Sequence, residues 1–139
     1  MVFGFKSTST PRSESSLLTE RTVRAPPRAH LEKRIPKEWA GEAATPSAVL
    51  ALLCEREGSV HVLLVRRAEA LRRHGGQVAF PGGKRDPEDA TLLATALREV
   101  HEEIGVPADA IDVLGRLDDY GTMTGFVITP FVGWLENAT

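Results

Sequence analysis

Residues 86–104 carry one apolar stripe and one acidic face, and that pairing limits what the chain can fold into. Ala90, Leu93, Ala94, Leu97, Val100 and Ile104 recur every three or four residues, the period of a helix with a single buried side. Asp86 suits an N-cap, Pro87 the first helical position, and Asp89 the closing of a capping box, so the helix is expected to start at Asp86. Gly105 suits the C′ position, and Pro107 prevents continuation. A one-stripe helix needs another layer to bury its stripe. The remaining apolar runs have strand length.

Residues 47–54 and 60–65 are apolar runs joined by a short loop containing Gly58, which reads as a hairpin. Residues 77–80 read as short and extended, and residues 111–117 and 126–135 as later strands, with Pro130 expected at an edge or bulge. Leu31, Ile35 and Trp39 are spaced by four but interrupted by Pro36, as in a short broken helix or turn. The order strand, strand, helix, strand, strand indicates an α/β (α+β) domain.

The acidic face carries the chemistry. Glu99 and Glu103 lie one turn apart, with Glu102 beside them, away from the stripe. Carboxylates this close repel one another unless a cation neutralises them, and Mg²⁺ takes oxygen ligands with water and phosphate completing its shell. The plain alternative is a solvated acidic helix face. Against it stand Arg98 among the acids and the pair Gly82–Gly83 just upstream, where backbone can approach a metal or phosphate closely.

With 139 residues the chain suffices for one domain. A net charge of −2 gives no electrostatic reason to expect nucleic acid or membrane as a partner, and no apolar stretch has membrane-spanning length. Cys54 is the single cysteine and ends an apolar run, so a buried thiol and a cytoplasmic location are expected. Residues 1–30, rich in Ser and Thr with four arginines after residue 11, read as a disordered basic tail, leaving 31–139 as the folded domain. His61 and His101 read as structural or exposed. Asp118, Asp119 and Tyr120 precede a GTMTG loop and read as a solvated turn, with a place in the substrate cleft as the alternative.

Residues 82–106, GGKRDPEDATLLATALREVHEEIGV, resemble the Nudix box, G-x5-E-x7-R-E-U-x-E-E-x-G-U with U aliphatic. Arg98 to Val106 match at every specified position. Upstream, counting from Gly83, Asp89 stands in place of the first glutamate, and eight residues instead of seven separate it from Arg98. Residues 63–83, LLVRRAEALRRHGGQVAFPGG, resemble the motif LLTxRSxxLRxHxGxVxFPGG of coenzyme A pyrophosphatases within the same superfamily, with Val65 and Ala68 replacing Thr and Ser.

The resemblance implies an α/β/α sandwich around a mixed sheet, and hydrolysis of a nucleoside diphosphate linked to another group. It implies Arg98, Glu99, Glu102 and Glu103 as catalytic residues, with Mg²⁺ or Mn²⁺ held by Glu99, Glu103 and Glu102. Arg67, Arg72, His74, Gly82 and Gly83 would contact substrate, the arginines pairing with phosphate as planar forks. The substrate implied is coenzyme A or acyl-coenzyme A, cleaved to adenosine 3′,5′-bisphosphate and 4′-phosphopantetheine. The alternatives are hydrolysis of another nucleoside diphosphate derivative and a catalytically silent nucleotide-binding module. A homodimer is compatible with either. Relatives with both motifs continue into a further strand and helix, so a domain lacking its C-terminal part is expected, with one sheet face poorly covered.

Overall fold

The computed structural model describes residues 2–6, 28–66 and 76–136. Strand β2 (Thr45–Arg56) runs through the middle of a mixed sheet. Its C-terminal half pairs antiparallel with β3 (Ser59–Arg66), as the hairpin pattern predicts. The turn between them needs two residues with positive φ, supplied by Glu57 at 51° and Gly58 at 75°. The N-terminal half of β2 pairs instead with the short β5 (Gly82–Lys84), and β4 (Val78–Ala79) pairs with β3.

Along its other side β2 runs parallel to β8 (Phe126–Leu135) for ten residues. Beyond β8 lie two short antiparallel strands placed end to end, β6 (Ile111–Arg116) and β7 (Tyr120–Gly121). Pro130 therefore sits on an interior strand, where an edge or bulge was expected. It is tolerated because it falls between the stretches paired to β6 and β7. A residue's N–H and C=O point the same way in a strand. The Pro130 carbonyl accepts from Leu117 N–H at 2.8 Å, so the missing donor faces that same break.

Helix α2 (Leu92–Ile104) covers one face, packing Ala96 and Val100 on Ala48, Leu50, Leu52 and Phe131. Leu50, Leu52 and Val100 lose all exposure, and burying a side chain of this size stabilises by about 1.5–3 kcal/mol each. The opposite face gathers Leu114, Val132 and Trp134 under Leu31 of the short helix α1 (Arg28–Glu32). Ion pairs of Arg28 with Asp112 and Arg34 with Asp118 fasten that segment down. Ile35 does not join the cover and is 90 % exposed. The sheet with helices on its two faces is the expected mixed α/β architecture.

Two boundaries differ from expectation. The helix starts five residues later than the cap signal at Asp86 indicates. Asp89 Oδ2 does accept the Asp86 N–H at 2.9 Å, as a capping box would, but Asp89 N–H returns to the Asp86 carbonyl at 3.0 Å and closes a turn. Thr91 is the actual N-cap, accepting Ala94 N–H at 3.0 Å. The C-terminal end holds as predicted, with Gly105 left-handed at φ 73° and its N–H on the His101 carbonyl. Within the expected disordered tail, Val2–Lys6 forms β1 along β3, and α1 begins at Arg28. Backbone pairing to an exposed strand edge needs little apolar side chain, so composition does not reveal it. Cys54 is buried as expected, and burial pushes its thiol pKa up, with Arg56 opposing. No helix among the described residues is long and apolar enough to cross a membrane.

Candidate active site

The site is organised by Arg98. Its Nε and Nη2 donate to Asp89 Oδ1 and Oδ2, each at 3.0 Å, as a bidentate fork. Nη2 also reaches the Lys84 carbonyl at 3.1 Å, and Nη1 donates to Glu99 Oε1 at 3.1 Å and to Glu102 at 3.2 Å. One guanidinium thus ties β5, the 86–90 turn and the helix together. Arg85 locks the same turn from the other side, donating to the Asp89 and Ala90 carbonyls.

Asp89 was absent from the residues expected in the site. Its side chain is 7 % exposed. The Arg98 guanidinium, with help from the Asp86 N–H and the Thr95 hydroxyl, holds its carboxyl far below the usual carboxylate range. Hydrogen bonds to Asp89, then to Glu102 and Glu99, raise Arg98 above its ordinary value against the opposing effect of burial. The one signal in the sequence was the departure itself: an aspartate and one added residue where the motif has glutamate. Arg98 thus fixes Asp89, Glu99 and Glu102 relative to one another.

Gly83 lies directly against the Glu99 carboxylate, and Gly82 against the Ala48 carbonyl and Val49. The two glycines therefore do different things. A methyl at Gly83 meets only the far end of a flexible side chain, so Gly83→Ala should leave the melting temperature nearly unchanged while displacing Glu99 and lowering turnover. A methyl at Gly82 meets β2 backbone, so Gly82→Ala should lower the melting temperature. Thermal melts beside turnover assays check both, and an equally active Gly83→Ala would show that the Glu99 position does not matter.

Glu99 is mostly shielded, its side chain 18 % exposed, whereas Glu102 is 56 % exposed and Glu103 lies on the exposed side of the helix. The expected cage of three carboxylates is not assembled: among the described residues no three His, Cys, Asp or Glu side chains converge on one point. The physical reason is that Arg98 draws Glu99 and Glu102 to itself. The donors are all hard oxygens on one rigid helix beside a glycine backbone, which is the chemistry Mg²⁺ or Mn²⁺ accepts. Arg67, Arg72 and His74 lie outside the described residues.

A second polar centre went unread in the sequence. Asp119 is not part of a solvated turn: its side chain is only 9 % exposed. It accepts from Thr129 Oγ1 at 2.7 Å, Arg116 Nη2 at 2.8 Å and Trp39 N–H at 2.8 Å. Burial alone would raise its pKa, but these donors outweigh it and the net shift is downward. Next to it, Asp118 is held at about 2 by Arg34 and the Lys37 N–H.

Comparison with known proteins places this geometry. The NUDIX domain family matches residues 44–136, two-thirds of the chain. The chain belongs to the Nudix family. It is 42 % identical over 106 residues to the uncharacterized Nudix hydrolase NudL of Yersinia enterocolitica, covering 76 % of this chain and 53 % of that protein. To the Yersinia pestis NudL it is 47 % identical over 87 residues, covering 63 % and 43 % respectively. This Nudix chain thus spans about half the length of the curated relatives it matches. Among solved structures, a Nudix hydrolase from M. smegmatis, RenU, superposes with a TM-score of 0.56 at 27 % identity, over 68 % of this chain and 63 % of that one. The NUDIX domain of Shewanella oneidensis NrtR, solved with ADP ribose, gives 0.57 at 20 % identity, over 92 % and 74 %, a likeness of fold alone.

Proposed function

We propose that this Nudix domain hydrolyses the pyrophosphate linkage of coenzyme A or an acyl-coenzyme A, using a divalent ion held by Glu99 with Glu103 and Glu102. The observation that carries the reading is the Glu99 carboxylate, fixed between Arg98 and the Gly83 backbone at the edge of the sheet. Nudix hydrolases use divalent metal ions. A bound Mg²⁺ or Mn²⁺ would neutralise charge on the phosphate oxygens and sharpen the attacking water. The chain's own residues do the rest. Arg98 and Asp89 hold the 86–90 turn and helix in register, so that Glu99 keeps its place as charge moves. Gly83 would leave the backbone beside Glu99 open to a phosphate, while Gly82 lets β5 seat against β2. Glu102, the more exposed of the two glutamates bonded to Arg98, would orient a water or a second ion.

Support for coenzyme A in particular comes from the motif at residues 63–83, with Arg67, Arg72 and His74 as the expected phosphate and ligand contacts. The test is turnover of a panel of coenzyme A, diadenosine tetraphosphate and ADP-ribose with Mg²⁺ or Mn²⁺, read by product mass. Adenosine 3′,5′-bisphosphate and 4′-phosphopantetheine are the expected products. Faster cleavage of another panel member would move the specificity, and no metal-dependent cleavage at all would leave a nucleotide-binding module.

A further inference from the structure

The side of the sheet that bears the Glu99 carboxylate also bears an indole on a purpose-built mount. Gly83 is opposite Ala48, and Ala48 shares its face of β2 with Pro46. Pro46 is opposite Val127, and Val127 is opposite Gly121. Partners across a ladder, and residues two apart along a strand, share a face. Gly83 and Gly121 therefore present the same face, one toward Glu99 and the other toward the Trp39 ring. Three inter-strand steps of about 4.8 Å and one two-residue step of about 6.6 Å separate them by roughly 16 Å.

The Trp39 ring packs against backbone at Gly41 and Gly121, where any side chain would collide with it. Its Nε1 donates to the Glu42 carbonyl at 2.9 Å, and its backbone N–H is gripped by Asp119. Asp119 is itself fixed by Thr129 and Arg116. Despite this fixation the residue remains 45 % exposed. A large aromatic held rigidly yet left half open loses little entropy when another flat group covers it. Arg116 donates to the same Asp119 carboxylate, and among the described residues its buried Nε has no acceptor.

We propose that Trp39 is the nucleobase platform of the site, stacking the base of the nucleotide whose phosphates lie at Glu99. This rests on the reading that the substrate is a nucleoside diphosphate derivative. The separation suits a nucleotide with its phosphates at the helix and its base at the far end.

Binding of hydrolysis products without metal tests the platform apart from turnover. Calorimetry with adenosine 3′,5′-bisphosphate and with 4′-phosphopantetheine, which has no base, is run on wild type, Trp39→Leu and Trp39→Tyr. Leucine keeps an apolar contact with the glycines but offers no π face; tyrosine restores one. Trp39→Leu is expected to weaken the bisphosphate about fivefold to a hundredfold, the range for removing an aromatic beneath a base. Affinity for 4′-phosphopantetheine should not change, and Trp39→Tyr should recover most of the loss. Unchanged bisphosphate affinity in Trp39→Leu overturns the platform and leaves the proposed reaction standing, as does an equal loss for both ligands or for both variants. A wild-type protein that binds neither this nor any other nucleotide of the panel overturns both. Should Trp39→Leu not fold, Trp39→Tyr against Trp39→Met gives the same comparison.

Discussion

Glu99→Gln is expected to lower kcat by about a hundredfold or more at saturating metal, with the melting temperature close to wild type. The change removes one anionic oxygen at the place where transition-state charge must be balanced, and losing one such electrostatic contact costs roughly 10²–10³ in rate. The fold should hold because glutamine still accepts from Arg98, and the helix is anchored through Ala96 and Val100 on its other side. Glu103→Gln carries the same expectation from its one-turn spacing. Initial rates over a metal titration, beside a thermal melt, measure it. Wild-type turnover in Glu99→Gln would remove the metal role from this helix face.

Asp89→Asn is expected to act on both stability and metal use. The carboxylate is buried against Arg98, and breaking such a pair leaves the arginine's charge without its main partner. The melting temperature should fall by several degrees at neutral pH. Released from Asp89, Arg98 should bind Glu99 and Glu102 more tightly, so the Mn²⁺ concentration for half-maximal activity should rise. The pH dependence has a definite sign. Asp89 has a depressed pKa in the fold, so its contribution is complete above the unfolded value of about 4 and is lost progressively as pH falls toward the folded value. The gap in melting temperature between wild type and Asp89→Asn should be widest near pH 6–7 and narrow below about pH 4. A constant gap would mean that the charge of Asp89 is not what matters.

Much of this protein was legible because local rules and tertiary structure agree. The hairpin of β2 and β3, strand β8 and the left-handed cap at Gly105 follow from apolar periodicity and from glycine's access to positive φ. The placement of Glu99 beside, not on, the buried stripe follows from helical geometry alone. These features depend on residues near one another in sequence.

The rest needed the folded chain. The helix begins after Thr91 instead of Asp86: Asp89 keeps its bond from the Asp86 N–H, but its own N–H closes a turn on the Asp86 carbonyl and its carboxylate also takes Arg98 nine residues on. Pro130 could occupy an interior strand because two unrelated short strands happen to meet beside it. Asp119 looked like a turn residue, yet it draws Thr129, Arg116 and Trp39 together, the last from 80 residues away. In the same way Arg98 gathers Glu99 and Glu102 to itself, and among the described residues no three carboxylates form a group that could hold an ion. Sequence determined which charges share a face; competition among long-range partners, each donor taking the best acceptor the fold brings within reach, decided which of them are joined.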